Sequence, residues 1–199
     1  TILTTVLSLM TLAGPAAAVD YPTTIDASAD TWIPLGNAGP KGMGEYLRTR
    51  NHGAADSTRA AMVRFNVGQP QALEAVGLSL QLTGLSGCSG NQCGFSVYGI
   101  TDGAKGGCGD WFNESTFQSS NSIAVGDSGN DIVGDPACFW DSEPNQAGKQ
   151  ALLGRFFAGA DDVGQRVGMT NDAFTRFVKA DNDGNVSVLI AMDTPGGEA

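Results

Sequence analysis

The four cysteines have the most constrained chemistry in this sequence. Cys88 and Cys93 flank the turn-like tetrapeptide SGNQ, and Cys108 and Cys138 follow in a long polar stretch. Four cysteines allow 3 disulfide pairings. A short turn between Cys88 and Cys93 suits a staple across a hairpin. That leaves Cys108 with Cys138, the preferred pairing, to close a longer loop. Zinc is disfavoured, because no two cysteines form the C-x2-C unit common in tetrahedral sites.

Oxygen ligands gather in two places. GDSGNDIVGD carries Asp127, Asn130, Asp131 and Asp135, the carboxylates and amide that a hard cation such as calcium would take. ADNDGN carries Asp181, Asp183 and Asn185. Its glycine is at the wrong offset for a calcium loop, and Met192 stands where a bidentate Glu is needed. It reads as a turn.

A third kind of chemistry needs flat rings beside polar groups. An aromatic ring stacks on the apolar face of a sugar while Arg, Asn and Asp read its hydroxyls. Trp32, Tyr46, Tyr98, Trp111 and Trp140 are the available rings. In GEYLRTR, alternation places Tyr46, Arg48 and Arg50 on one face of an extended segment. A Cys108–Cys138 bridge would bring Trp111 and Trp140 together, as a binding cleft or, the plainer reading, as a small core under a long loop. Catalysis finds no comparable grouping. His52 is the only histidine, no Gly-x-Ser-x-Gly elbow occurs, and Glu114 beside Trp111 is a lone carboxylate. No catalytic residue is assigned, and the chain is read as a non-enzyme.

The elements that must position these residues are short and β-like. AAMVRFNV puts Ala61, Val63, Phe65 and Val67 on one face and Met62, Arg64 and Asn66 on the other, so Arg64 is expected as a solvated or ion-paired residue of the outer face. AVGLSLQLTGL aligns Val76, Leu78, Leu80 and Leu82. GFSVYGITD sets Phe95, Val97 and Gly99 against Ser96, Tyr98 and Ile100. Residues 149–157 and 163–169 read as further strands. AFTRFVKA and NVSVLIAM flank DNDG, which predicts a closing hairpin. Gly103 to Gln146 reads as a long loop carrying Cys108 and Cys138. Many short strands separated by turns predict an all-β fold, a two-sheet antiparallel β-sandwich, jelly-roll-like, with a long disulfide-bearing loop.

The chain has 199 residues, 28 of them Gly, and is 41% hydrophobic, which suits one domain with a sizeable core. Its net charge of -10 repels phosphate backbones and disfavours nucleic-acid partners. TILTTVLSLMTLAGPAAA, from Thr1 to Ala18, is uncharged and ends in Ala16-Ala17-Ala18, the form of a secretory leader without its basic start. It is interrupted by polar residues, Gly14 and Pro15, and is short for a membrane span. The expected division is a partial signal peptide over 1–18 and one β-sandwich domain over 19–199. The chain is thus expected to be secreted and extracellular, with no membrane insertion after cleavage.

The order of segments resembles the DNRLRE domain family, also classed as carbohydrate-binding module family 96. The segments carrying the resemblance are ADTWI with Ala29 and Asp30, Val63-Arg64-Phe65-Asn66-Val67, Val97-Tyr98-Gly99, Trp111 with Glu114, and Thr116-Phe117. They span roughly Ile25 to Met192. Asn66 stands where the family has Asp, and Phe117 where it has Trp. The family's C-terminal signature is not found, so the domain is expected to lack its last strand. The resemblance implies a secreted, non-catalytic module that binds an extracellular polysaccharide, within a longer protein of further domains. On that reading Trp111, Trp140, Tyr46, Arg48 and Arg50 are the candidate contact residues, and calcium is the one cofactor suggested. The alternatives are a structural or adhesive β-domain without a sugar ligand and, more weakly, a polysaccharide lyase or hydrolase.

Overall fold

The computed structural model describes residues 5–10, 23–34, 47–51, 59–68, 73–88, 92–100, 152–181, 183–193 and 199. In 5–10, and at 23, 31, 33 and 34, it describes the backbone alone. The described strands are β1 (Thr5–Met10), β2 (Thr23–Pro34), β3 (Arg59–Asn66), β4 (Ala75–Gln81), β5 (Gln92–Ile100), β6 (Leu152–Gly159), β7 (Arg166–Thr170) and β8 (Asn185–Met192). One helix, α1 (Asp172–Ala180), lies between β7 and β8.

All the pairings are antiparallel, in the order β6-β5-β8-β3-β2-β1-β4-β7. The order folds into two sheets at β2. The first residues of β2 pair with β1, from Thr23 opposite Leu9 to Asp26 opposite Val6. Its later residues pair with β3, from Ala27 opposite Phe65 to Pro34 opposite Arg59. A register shift between Ala27 and Ala29 marks the change of sheet, and an extra residue of this kind bends and twists a strand. The larger sheet is β6-β5-β8-β3-β2, and the smaller is β2-β1-β4-β7. The outer edges, β6 and β7, pack against each other. The fold is the expected all-β, two-sheet antiparallel sandwich.

The core lies between the sheets. Val63 and Phe65 from β3, Val76, Leu78 and Leu80 from β4, Phe95 and Val97 from β5, and Val188 and Ile190 from β8 are all buried there. For β3, β4 and β5 these are the faces that alternation predicted. Phe95 and Phe156, opposite each other on β5 and β6, stack with centroids 4.8 Å apart and planes 7° from parallel. Cys88 and Cys93 form a disulfide across the connection from β4 to β5. Cys108 and Cys138 fall outside the described residues.

AFTRFVKA departs from expectation: it is helix, not the first arm of a hairpin. Asn171 caps it, its Oδ1 accepting from the Phe174 N–H at 2.8 Å, which satisfies an N–H that a helix start otherwise leaves open. Asp172 lies in the first turn and Lys179 in the last, both favourable to the helix dipole. Phe174, Phe177 and Val178 then share one face at helical spacing and are buried. The Thr175 hydroxyl accepts from the Val76 N–H at 3.2 Å, fixing the helix to β4. Phe177 lies against Gly99, where a Cβ would collide with its ring. The DNDG turn is real, but it joins helix to strand. Asp181 Oδ2 accepts from the Gly184 N–H at 2.6 Å, and Gly184 has φ +84, which favours glycine.

Arg64 is on the outer face of β3, as alternation requires; of its two expected states, solvated or ion-paired, an exposure of 8% removes the solvated one. Ala60, Met62, Ser187, Leu189 and Ala191 on the same face are buried with it. The middle of the larger sheet is therefore covered on both sides.

Candidate functional site

The best-formed polar grouping among the described residues lies at one end of the larger sheet, on its outer face. The sequence LLGRFFAG makes β6 alternate. Phe156 points into the core, while Arg155 and Phe157 point out. Arg155 is opposite Ser96 on β5, and Phe157 is opposite Gly94. Asp193 extends the line of β8 by one residue, its N–H donating to the Gly94 carbonyl at 2.8 Å. Three strands thus bring Ser96, Arg155 and Asp193 together.

Their geometry is closed on itself. The Ser96 hydroxyl donates to Asp193 Oδ2 at 2.7 Å. Arg155 Nε donates to Ser96 Oγ at 3.1 Å and lies 3.2 Å from Asp193 Oδ2. Ser96 is fully buried, so it acts as a fixed pin beneath the ion pair. Arg155 and Asp193 side chains are 57% and 35% exposed, so the pair itself adds little stability. Its value is orientation. The guanidinium is held through Nε, and its terminal nitrogens have no partner among the described residues. Phe157 beside it is 63% exposed, an unusual position for a large apolar ring. Gly94 makes room for it, because a Cβ there would be 3.2 Å from the Phe157 ring.

A second grouping adjoins the same end. Residues 47–51 cross it, with Leu47, Thr49 and Asn51 buried and Arg48 exposed. Arg50 and Arg59 exchange backbone hydrogen bonds at 3.0 and 2.9 Å, so two arginines are directly opposite each other in an acidic protein. Like charges in that position repel. The Arg59 guanidinium lies 5.0 Å from the centroid of the Trp32 ring, a cation–π contact that offsets part of this cost. The Asn51 side-chain amide donates to the Asp193 carbonyl at 3.2 Å and ties the two groupings together.

The structure therefore brings the predicted Arg50 next to Arg59 and Trp32, and leaves Arg48 exposed on the same segment. Tyr46, Trp111, Trp140 and the calcium candidates Asp127, Asn130, Asp131 and Asp135 lie outside the described residues. Among the described residues no three His, Cys, Asp or Glu side chains gather as metal ligands. Sequence reasoning missed Phe157, Arg155, Asp193 and Ser96. The alternation of LLGRFFAG carried a signal for the first two. Nothing in the sequence announced that β5, β6 and β8 would be neighbours.

Between the sheets there is also an apolar pocket of about 430 Å³, its open mouth included, walled by Leu47, Thr49, Leu80, Leu82, Phe95 and Ala199. Thr49 and Ala199 close one side with paired backbone hydrogen bonds of 2.8 and 2.9 Å. Thr49 Oγ1 is buried there without a hydrogen-bond partner among the described residues. Thr49 and Thr83 are the two hydroxyl-bearing residues in an otherwise apolar lining, so this pocket is read as part of the core.

No family model matches this chain, and no curated protein matches it.

Proposed function

We propose that this chain is a secreted, non-catalytic β-sandwich module of DNRLRE type that binds an extracellular polysaccharide on the face built by Phe157, Arg155 and Asp193. One observation carries the reading: an exposed aromatic ring stands beside a guanidinium that is pre-oriented by its own ion pair. The ring offers an apolar platform for the C–H face of a pyranose. The Arg155 terminal nitrogens donate to hydroxyls or to a sugar carboxylate, and Asp193 accepts from hydroxyls. Because the side chains are already held, binding costs little ordering entropy. The leader-like N-terminus and the Cys88–Cys93 bridge support an oxidising, extracellular setting.

The test is titration of the chain with soluble neutral and acidic polysaccharides, with calcium and with chelator. Phe157→Ala and Arg155→Ala are each expected to weaken binding about tenfold or more, roughly 1.4 kcal/mol. The melting temperature should be unchanged, since both side chains are exposed. A protein that melts cooperatively yet binds none of the polysaccharides would overturn this reading in favour of a structural or adhesive domain.

A further inference from the structure

Two Asn-x-Ser/Thr triplets occur in the sequence, Asn113-Glu114-Ser115 and Asn185-Val186-Ser187. A triplet of this form is the acceptor for N-linked glycosylation in a chain that enters a secretory compartment. Asn113 lies outside the described residues. Asn185-Val186-Ser187 opens β8, where its surroundings can be read side chain by side chain.

Asn185 follows the turn at one end of the larger sheet. Its backbone is fixed there. Its N–H donates to Asp183 Oδ1 at 2.7 Å, and the preceding Gly184 carbonyl accepts from the Val67 N–H at 2.7 Å. Its side-chain amide has no hydrogen-bond partner among the described residues. Alternation along β8 turns Val186 into the core at 1% exposure, and turns Asn185 and Ser187 outward. Asn185 is half-exposed, and Asn66 opposite it on β3 and nearby Gly68 are exposed. A sugar leaving Asn185 therefore meets solvent and small or polar neighbours. The 8 residues of β8 separate it from Asp193, roughly 26 Å at the usual rise of a strand. It stands at the far end of that strand from Phe157 and Arg155.

We propose that Asn185 is an N-glycan acceptor, modified while β8 is still extended and unpaired. The proposal rests on the secretion reading and is independent of sugar binding. The donor is an oligosaccharide carried on a lipid pyrophosphate. Asn185 Nδ2 attacks its anomeric carbon, and the new C–N bond forms as the C–O bond to the pyrophosphate breaks. The lipid pyrophosphate leaves with the bonding electrons, and an amide proton passes to a carboxylate of the transferase. The Ser187 hydroxyl is the recognition element. In the finished sheet Ser187 is 7% exposed, opposite Arg64 on β3. The transferase can read it only before β8 docks between β3 and β5. β8 is the last of the described strands in chain order, so its partners are made before it. When it closes, Ser187 is covered and Asn185 stays at the surface with its sugar.

Translation with microsomes tests this. The chain is given a host leader ahead of Thr1 and carries Asn113→Gln, and protection from added protease identifies the lumenal product. That product should contain a slower-migrating form that peptide N-glycosidase returns to the unmodified position. Asn185→Gln and Ser187→Ala should each abolish the form, and Ser187→Thr should keep it. The purified folded chain, given the same transferase and donor in detergent, should stay unmodified, whereas the urea-unfolded chain diluted into the reaction should be modified. A lumenal product without the form, or a form that survives Asn185→Gln, overturns the acceptor site. Equal modification of folded and unfolded chain overturns the proposed timing. A further arm replaces the host leader by an initiator methionine before residues 1–18. Failure to reach the lumen in that arm alone overturns the secretion reading and not the acceptor site.

Discussion

β3 and β8 bury both of their faces, whereas β4 and β7 bury one. On the first pair, outward Ala60, Met62, Arg64, Ser187, Leu189 and Ala191 are as inaccessible as inward Val63, Phe65, Val188 and Ile190, none above 8% exposed. On the second pair, Val76, Leu78, Leu80 and Met169 are buried, while Ser79 and Gln81 are half-exposed and Arg166 and Thr170 are exposed. Both pairs obey the same alternation. The difference is in what the outward side can carry. Outward residues of β3 and β8 are small, apolar or engaged, because water cannot reach them. Those of β4 and β7 are ordinary polar surface. A β-strand pattern thus identifies its two faces without saying whether both are covered.

The sharpest way to break this contrast is to place a carboxylate on each outward face. Met62→Asp buries a charge in a site 1% exposed, and is expected to cost about 4 kcal/mol or more, or to abolish folding. Ser79→Asp on β4 should stay within about 0.5 kcal/mol of the parent. Urea denaturation measures both, and equal costs would mean that the two sheets do not differ as described.

The next effects concern what joins the two regions. Phe174→Ala empties a fully buried site where α1 packs on β4 and β6. A loss of about 3–5 kcal/mol is expected in the same titration; a loss under about 1 kcal/mol would show that the helix is not part of the core. Replacing both Cys88 and Cys93 by Ser removes the bridge between the β4–β5 connection and the start of β5. Closing so short a loop is worth about 2 kcal/mol, to be read as a fall in melting temperature of the double variant against the oxidised parent.

The smallest effect has the opposite sign. Thr49→Val removes a buried hydroxyl that has no partner among the described residues and keeps the shape of the side chain. It should stabilise the protein by about 1 kcal/mol. A loss instead would mean that the hydroxyl is satisfied, by water or by ligand, and that the pocket is not simply core.

Much of the sandwich was legible because period-2 alternation is a local property. The faces of β3, β4 and β5 follow from residues such as Val63, Leu78 and Phe95 without any knowledge of their neighbours. α1 was misread because the Asp-Gly turn after it serves a hairpin and a helix–strand junction alike. The competing signals, Asn171 as a cap and Phe174, Phe177 and Val178 at helical spacing, were present and outweighed it. The candidate site was only partly legible. Arg50 stood out in GEYLRTR, but Asp193 looked like a residue beyond the last strand. Its role exists only because β8 lies next to β5, and β5 next to β6.

The sequence by itself determined the β class, the two faces of the main strands, the Cys88–Cys93 staple and the acidic charge that argues against nucleic-acid partners. These depend on residue type and near spacing, which no later folding step can alter. Tertiary structure alone decided that the outward side of β3 and β8 is buried, that Arg64 is enclosed, and that Phe157 is exposed beside a pinned Arg155. Each of these depends on which strands become neighbours, and that is settled by long-range packing over the whole core.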